Sequence, residues 1–377
     1  MNAPLPITGD VPGQRAQISV ATDDSALRRW LPRRVVITRD ARKYAHGLTM
    51  AERCAAAGLP VEELTGNAVR LPSHPDSRRA YVDAKATLAI AVAPPGKLKL
   101  EPIAPSADWR LDLAQGCPAH CNYCYLAGSL KGAPITRAYA NIEEILGTAH
   151  AYLGRGTITS RSANRAHEGT TYEASCYTDP LGIEHLTGSL GYMIERFGEW
   201  DANAQLRFTT KFADVEPLLG LAHSGRTRMR ASVNPAAYAR FEGGTHKVSD
   251  RLSALAKMAG AGYPIGLTIA PIIAAEGWQD AYGALIGDAA AALGGIADLD
   301  LTIELITHRY TEGSKAVLES WYPGSALDMS GAQRTIKRTK FGTSKTVYDK
   351  ETMGAMKSFF YERLAADLPD APILYWT

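Results

Sequence analysis

Short apolar runs and longer amphipathic stretches alternate along most of this chain, and their rhythm changes once. The opening stretch is rich in Pro, Gly, Asp and Ala without any period, which predicts a mobile arm over residues 1–30. Apolar runs at 35–38, 61–64 and 87–92 then read as strands, and the stretches at 49–57 and 77–86 as helices between them. These predict a small α/β unit over 31–105. Cys54 lies among alanines on the first of those helices, where a free cysteine is expected to pack as a small hydrophobe. From Trp109 the rhythm becomes strand, helix, strand, with strands at 110–114, 171–176, 206–210, 228–233, 265–271 and 299–306 and helices at 142–152, 186–197, 215–222, 250–261 and 278–293. That alternation marks a parallel sheet with crossover helices, so the fold class is α/β, and six such units predict a partial (β/α)6 barrel over 106–310. A C-terminal extension occupies 311–377. In such sheets ligands gather at the carboxyl ends of the strands. Residues 154–170 carry Gly, Ser and Arg but no apolar period, and are expected to form a loop, either a solvated insertion or a flap on the substrate side.

The 377 residues are enough for one large domain and a smaller one, and a hydrophobic content of 46% is ordinary for a globular protein. No run approaches the roughly 18 to 20 apolar residues that a membrane-spanning helix needs. The N-terminal stretch has no apolar signal core either, so no membrane partner is expected and the cytoplasm is the expected location. Five cysteines, an odd number, do not make a disulfide framework. A formal net charge of +2 does not by itself point to nucleic acid. Local clustering says more: Arg334, Lys337, Arg338, Lys340 and Lys345 surround Phe341-Gly342 and read as a basic hairpin.

Three of the five cysteines fall within eight residues, Cys117, Cys121 and Cys124, spaced C-x3-C-x2-C. Three thiolates on one short loop suit a 4Fe-4S cluster and leave one iron without a protein ligand, where a small molecule can bind. A zinc site made of these cysteines and His120 is the competing reading. Structural zinc usually draws its ligands from two separated pairs, whereas these four share one loop, and the adjacency of His120 and Cys121 makes joint tetrahedral ligation awkward. The spacing, with the aromatic Tyr123 ahead of the third cysteine, points to a radical S-adenosylmethionine (SAM) enzyme. An exposed iron-sulfur loop also needs a reducing compartment.

Residues at the other predicted strand ends would surround a ligand held on that loop. Cys176 closes the second strand, Lys211 follows the third and Ser232 lies on the fourth. Lys211 suits the carboxylate of SAM, and Ser232 its carboxylate or ribose. Taken singly, they read better as a solvated charge and a turn hydroxyl. A thiol S–H is weaker than ordinary C–H bonds, so Cys176 beside a carbon radical can hand over a hydrogen atom; the alternative is a buried structural thiol. Tyr123 and Tyr125 flank Cys124, and as phenols they can pass a hydrogen atom back to the Cys176 sulfur, or else they simply pack.

Several separated motifs, in order, resemble the spore photoproduct lyase family of radical SAM enzymes, which splits a covalently linked thymine pair in ultraviolet-damaged DNA. They are Cys117-x3-Cys121-x-Tyr123-Cys124-Tyr125-Leu126, Glu173-Ala-Ser-Cys176, Gly182-Ile-Glu-His-Leu-Thr187, Thr209-Thr-Lys211, Arg230-Ala-Ser-Val-Asn234 and Thr307-His-Arg-Tyr310, within a likeness that covers about 35–362. The resemblance implies a radical-SAM barrel, a 4Fe-4S cluster on Cys117, Cys121 and Cys124, SAM contacts from Lys211 and Ser232, hydrogen-atom donation by Cys176, and a radical relay through Tyr123 and Tyr125. It implies that a deoxyadenosyl radical takes hydrogen from C6 of the lesion, that the methylene bridge between the bases breaks, and that two thymines are restored with SAM regenerated. It further implies ultraviolet-damaged DNA as partner, entered by the C-terminal hairpin with Arg338, Lys340, Lys345 and Phe341, and an electron donor such as flavodoxin or ferredoxin. The chain departs from the family at Tyr177, where a small hydroxyl residue is usual, and in the length of the 154–170 loop. The alternative readings are a radical SAM homologue acting on another nucleic-acid lesion or modified base, and a non-catalytic iron-sulfur or zinc nucleic-acid binding protein.

Overall fold

Two sheets divide the chain, and the cysteine loop is an excursion from the first of them. The computed structural model describes residues 27–129, 132–338 and 344–377; the expected arm lies outside the described residues as far as residue 26. In the first unit β1 (Arg34–Ile37), α1 (Ala45–Ala56), β2 (Val61–Glu63), α2 (Ser77–Lys85) and β3 (Thr87–Ala91) follow the sequence pattern closely. β1 and β3 are apolar on both faces because both faces are covered. Val35, Ile37, Leu88 and Ile90 cluster with Met50 and Cys54 of α1, while Val36 and Ala89 cluster with Ala84 of α2 and with Ile135. Burying a Leu or Ile side chain in this way stabilises by about 1.5–3 kcal/mol.

Beyond this unit the chain does something the hydrophobic pattern does not show. The single strand expected at 110–114 is two, β4 (Trp109–Leu111) and β5 (Ala114–Gln115). β4 pairs into the second sheet and β5 into the first. The chain bends between them because the Ser175 hydroxyl accepts hydrogen bonds from the N–H groups of Leu113 and Ala114 (2.8 and 3.2 Å), while Asp112 is held by Lys97 and Arg110. After the short β6 (His120–Cys121), β7 (Thr136–Tyr139) returns to the first sheet, whose order is β2-β1-β3-β7-β5. The cysteine loop therefore leaves from β5 and comes back on its antiparallel neighbour β7.

The second sheet is the partial barrel. α3 (Ile142–Tyr152) leads to β8 (Thr170–Ala174), followed by α4 (Glu184–Thr187), α5 (Ser189–Glu199), β9 (Ala204–Thr210), β10 (Thr227–Val233), the short β11 (Glu242–Gly243), α6 (Val248–Gly260), β12 (Ile265–Ile272), α7 (Trp278–Leu293) and β13 (Leu301–Thr307). β4, β8, β9, β10, β12 and β13 are the six expected strands, adjacent in chain order and parallel throughout. α8 (Glu312–Trp321), the hairpin of β14 (Arg334–Arg338) and β15 (Ser344–Tyr348), and α9 (Lys350–Asp367) precede a strand the pattern did not predict, β16 (Ile373–Trp376), which extends the β13 edge.

Three expectations need correction. The helix expected at 215–222 is a single turn at Glu216–Leu218, with Pro217 inside it and Gly220 just beyond. The helix expected at 186–197 is broken between α4 and α5 at Gly188, whose φ of 64° is left-handed. Residues 154–170 do not form a substrate-side flap; they are a part-exposed loop on the other side of the barrel. The Asp108 carboxylate accepts from the N–H groups of Ile158 (2.7 Å) and Thr159 (3.0 Å), and the loop runs into the first residue of β8, so it covers the amino end of the barrel, opposite the carboxyl ends of the strands.

Charge, not only hydrocarbon, fills the concave face. Glu173 of β8, Arg207 of β9, Arg230 of β10 and Glu304 of β13 are all buried. Arg207 reaches Glu304 at 3.1 Å and Arg230 reaches it at 2.7 Å, while Arg230 also pairs with Glu173. Contact from β9 to β13, across β10 and β12, follows from the curl of the sheet. Burial pushes the Glu304 carboxyl up, but Arg230 and Arg207 outweigh it and hold the group at about 2.

Candidate active site

Four backbone anchors shape the cysteine loop. Gly116 opens it with a φ of 84°, and a Cβ there would sit 2.2 Å from the Ile135 carbonyl oxygen, so only glycine fits. The Gly116 N–H donates to the Tyr177 carbonyl at 2.9 Å, which ties the loop to the segment after β8. β6 pairs antiparallel with β11, setting Cys121 opposite Glu242, and the Asn122 N–H donates to the Phe241 carbonyl at 2.8 Å. From the first unit, the Lys85 ammonium donates to the carbonyl oxygens of Cys117 and Ala119.

The three sulfurs are a soft donor set. Burial raises all three thiols, Cys117 to about 12, while the charge of Lys85 opposes that rise at Cys117 and Cys124. Soft thiolates of this kind are the usual ligands of iron-sulfur clusters. His120 does not join them. Its Nδ1 lies 3.1 Å from the Tyr81 hydroxyl on α2, and among the described residues no group of three or more His, Cys, Asp or Glu side chains converges closely enough for a single metal ion.

Lys211 and Ser232 do come together, on the Ala270 carbonyl, at 3.1 and 3.3 Å. Around them is a network that sequence reading missed. Glu242 accepts from Lys211 (2.8 Å), Asn234 (3.1 Å) and the Tyr123 hydroxyl on one oxygen, and pairs with Arg251 (2.6 Å) on the other. Burial raises this carboxyl, but the two cations hold it at about 2. Asn234 stands two residues past Ser232 in a motif already noted and was within reach of sequence reasoning. Glu242 gave no signal, because a two-residue strand has no period.

Cys176 lies two residues past β8, which stops at Ala174 and not at the expected 176, because Ser175 turns the chain with a φ of 59°. Burial pushes its thiol up to about 12, with Asp112 adding to the effect, so the sulfur carries its hydrogen at neutral pH. The Tyr125 hydroxyl donates to the Cys176 carbonyl, which brings the cysteine loop and the Cys176 segment into direct contact. Tyr177 sits in a cationic clamp, with Lys97 and Arg110 lying 4.7 and 4.5 Å from its ring centroid.

The basic hairpin is rooted at the same end of the barrel. Arg334 donates to His308 Nδ1 at 2.9 Å and lies over the Tyr348 ring at 4.0 Å, while the Tyr348 hydroxyl accepts from the Ala274 N–H just past β12. Arg338 ends β14 and Lys345 lies on β15, whereas Lys340 and Phe341 fall outside the described residues. Ile336, next to Lys337 on β14, is 72% exposed, an apolar side chain on a basic strand.

Comparison with known proteins agrees with this geometry. A model of the spore photoproduct lyase family matches residues 30–377. Over 351 residues the chain is 37% identical to the spore photoproduct lyase of Bacillus subtilis (strain 168), covering 92% of this chain and 99% of that protein. With the spore photoproduct lyase of Geobacillus sp. (strain Y412MC61) the identity is 36% over 354 residues, covering 93% and 100%. Among solved structures, a spore photoproduct lyase complexed with dinucleoside spore photoproduct superposes with a TM-score of 0.85 at 36% identity, covering 93% of this chain and 100% of that one. A mutant spore photoproduct lyase with bound AdoMet and the same dinucleoside gives 0.84 at 36% identity, with the same coverage.

Proposed function

This chain belongs to the spore photoproduct lyase family, and from that premise we propose that it is a radical SAM lyase that reverses the spore photoproduct in ultraviolet-damaged DNA. The observation that carries the reading is the contact between the cysteine loop and the hydrogen-donor segment. Tyr125 and Gly116 of the loop bond the carbonyls of Cys176 and Tyr177, so radical generation and radical quenching share one mouth. The related structures with bound AdoMet and dinucleoside spore photoproduct support the same pair of ligands here.

Cys117, Cys121 and Cys124 are the proposed holders of a 4Fe-4S cluster, which three soft sulfurs on one short loop opened by Gly116 fit. When bound, the cluster supplies the electron that cleaves the sulfonium of SAM to give the 5′-deoxyadenosyl radical. Lys211, held by Glu242, would bind the carboxylate of SAM, and Ser232 would bind its carboxylate or ribose. Cys176 gives its hydrogen atom to the thymine carbon radical left when the methylene bridge breaks: an S–H bond is lost, a C–H bond forms, and the sulfur is left one electron short. Tyr125 returns a hydrogen atom to that sulfur and Tyr123 one to Tyr125, and the hydrogen first taken from C6 of the lesion would come back to Tyr123 from 5′-deoxyadenosine, so no radical is left on the protein. Arg338, Lys345 and their neighbours Lys340 and Phe341 meet the DNA, the cations neutralising phosphate as the lesion leaves the stack. A flavodoxin or ferredoxin in the cytoplasm is the proposed source of electrons.

The test is a lesion assay under strict exclusion of oxygen. Reconstituted protein with dithionite, SAM and dinucleoside spore photoproduct should release thymidine. SAM cleavage with the lesion left intact would overturn the lyase and leave only the radical chemistry.

A further inference from the structure

We propose that Lys85, contributed by the N-terminal unit, is a positioning residue for the iron-sulfur cluster: it shapes the cysteine loop through two carbonyls and sets a fixed positive charge against the loop that carries the three sulfurs. The inference rests on the reading that Cys117, Cys121 and Cys124 hold that cluster.

Lys85 ends α2 and is only 6% exposed, which is unusual for a lysine. Its ammonium donates to the carbonyl oxygens of Cys117 and Ala119, two residues apart, so one cation draws both into the same concave turn. A buried ammonium is costly unless a counter-charge accompanies it. Among the described residues no carboxylate forms an ion pair with Lys85. Its two acceptors belong to the cysteine loop itself, one of them on Cys117, so the charge stands next to the residues that would hold the cluster. Three thiolates around a cluster supply the negative charge that Lys85 otherwise lacks.

The helix that carries Lys85 is held against the loop from a second direction. Tyr81, one turn earlier, bonds His120 at 3.1 Å and stacks on Trp321 of α8 with ring centroids 4.7 Å apart. The N-terminal unit thus supplies no sulfur, yet fixes where a charge stands against the loop that carries the sulfurs. A cation at that place stabilises the more negative, reduced form of a cluster, so it raises the reduction potential.

Lys85→Met and Lys85→Arg in the full chain test this, with iron per chain and the midpoint potential from an EPR-monitored redox titration as readouts; neither needs turnover. The expected result is a more negative midpoint for Lys85→Met and a near-wild-type midpoint for Lys85→Arg. Wild-type iron content and midpoint in Lys85→Met would overturn the proposal, as would an equal shift in both variants, which would mean packing and not charge. Should Lys85→Met take up no iron, uptake restored in Lys85→Arg supports the proposal and its absence there overturns it. A wild-type protein that takes up no iron would remove the cluster reading itself, and this inference with it.

Discussion

Glu242 holds its carboxylate 2.8 Å from the Lys211 ammonium while its backbone pairs with that of Cys121. One residue thereby joins the cysteine loop to the end of β9. Its second oxygen lies 2.6 Å from Arg251, so two largely buried cations share a single counter-charge.

Replacing it as Glu242→Gln leaves those cations short of a partner, and stability should fall by about 3–5 kcal/mol in chemical denaturation. The Michaelis constant for SAM should rise more than turnover falls, because Lys211 loses its steering. The pH dependence has a definite sign. The carboxyl is held at about 2, below its ordinary 4.5, so its contribution is full above about 4.5 and is lost as pH falls through about 2. Acid titration of stability should be shallower in the variant over that window.

Gly116→Ala should spare the barrel and damage the loop. The new methyl meets the Ile135 carbonyl oxygen at 2.2 Å on a backbone with a φ of 84°. Iron content after reconstitution should drop by more than half while the far-ultraviolet circular dichroism spectrum is retained; full loading would show that the loop can shift.

Cys176→Ala removes the one hydrogen-bearing sulfur at the end of β8. SAM cleavage should persist and be consumed faster per lesion, with off-pathway thymine adducts appearing by mass spectrometry. A clean yield of thymine would rule the thiol out as donor.

Arg338→Ala and Lys345→Ala should each weaken DNA binding about equally across sequences. Each should also reduce the slope of log affinity against log salt by about 0.7 to 0.9, the value for one phosphate contact. An unchanged slope in fluorescence-anisotropy titrations would remove that side chain from the phosphate contacts.

Much of this molecule is written locally. The C-x3-C-x2-C spacing, the strand at the end of which Cys176 stands, and the order of six parallel strands are short-range features, because a helix or strand covered on a given face leaves its own period in the chain. The split of β4 from β5, by contrast, turns on a hydroxyl of Ser175 some sixty residues away, and no period records it. Lys85, Glu242 and Glu304 share that fate: in sequence each looks like a solvated charge. Only the fold brings Lys85 to Cys117, 32 residues on, and Glu242 to Tyr123, 119 residues back. The chain alone determined the elements and the candidate chemistry; tertiary packing decided which charges would be buried together, because the partner that makes burial of a charge tolerable comes from a distant element that the local pattern does not encode.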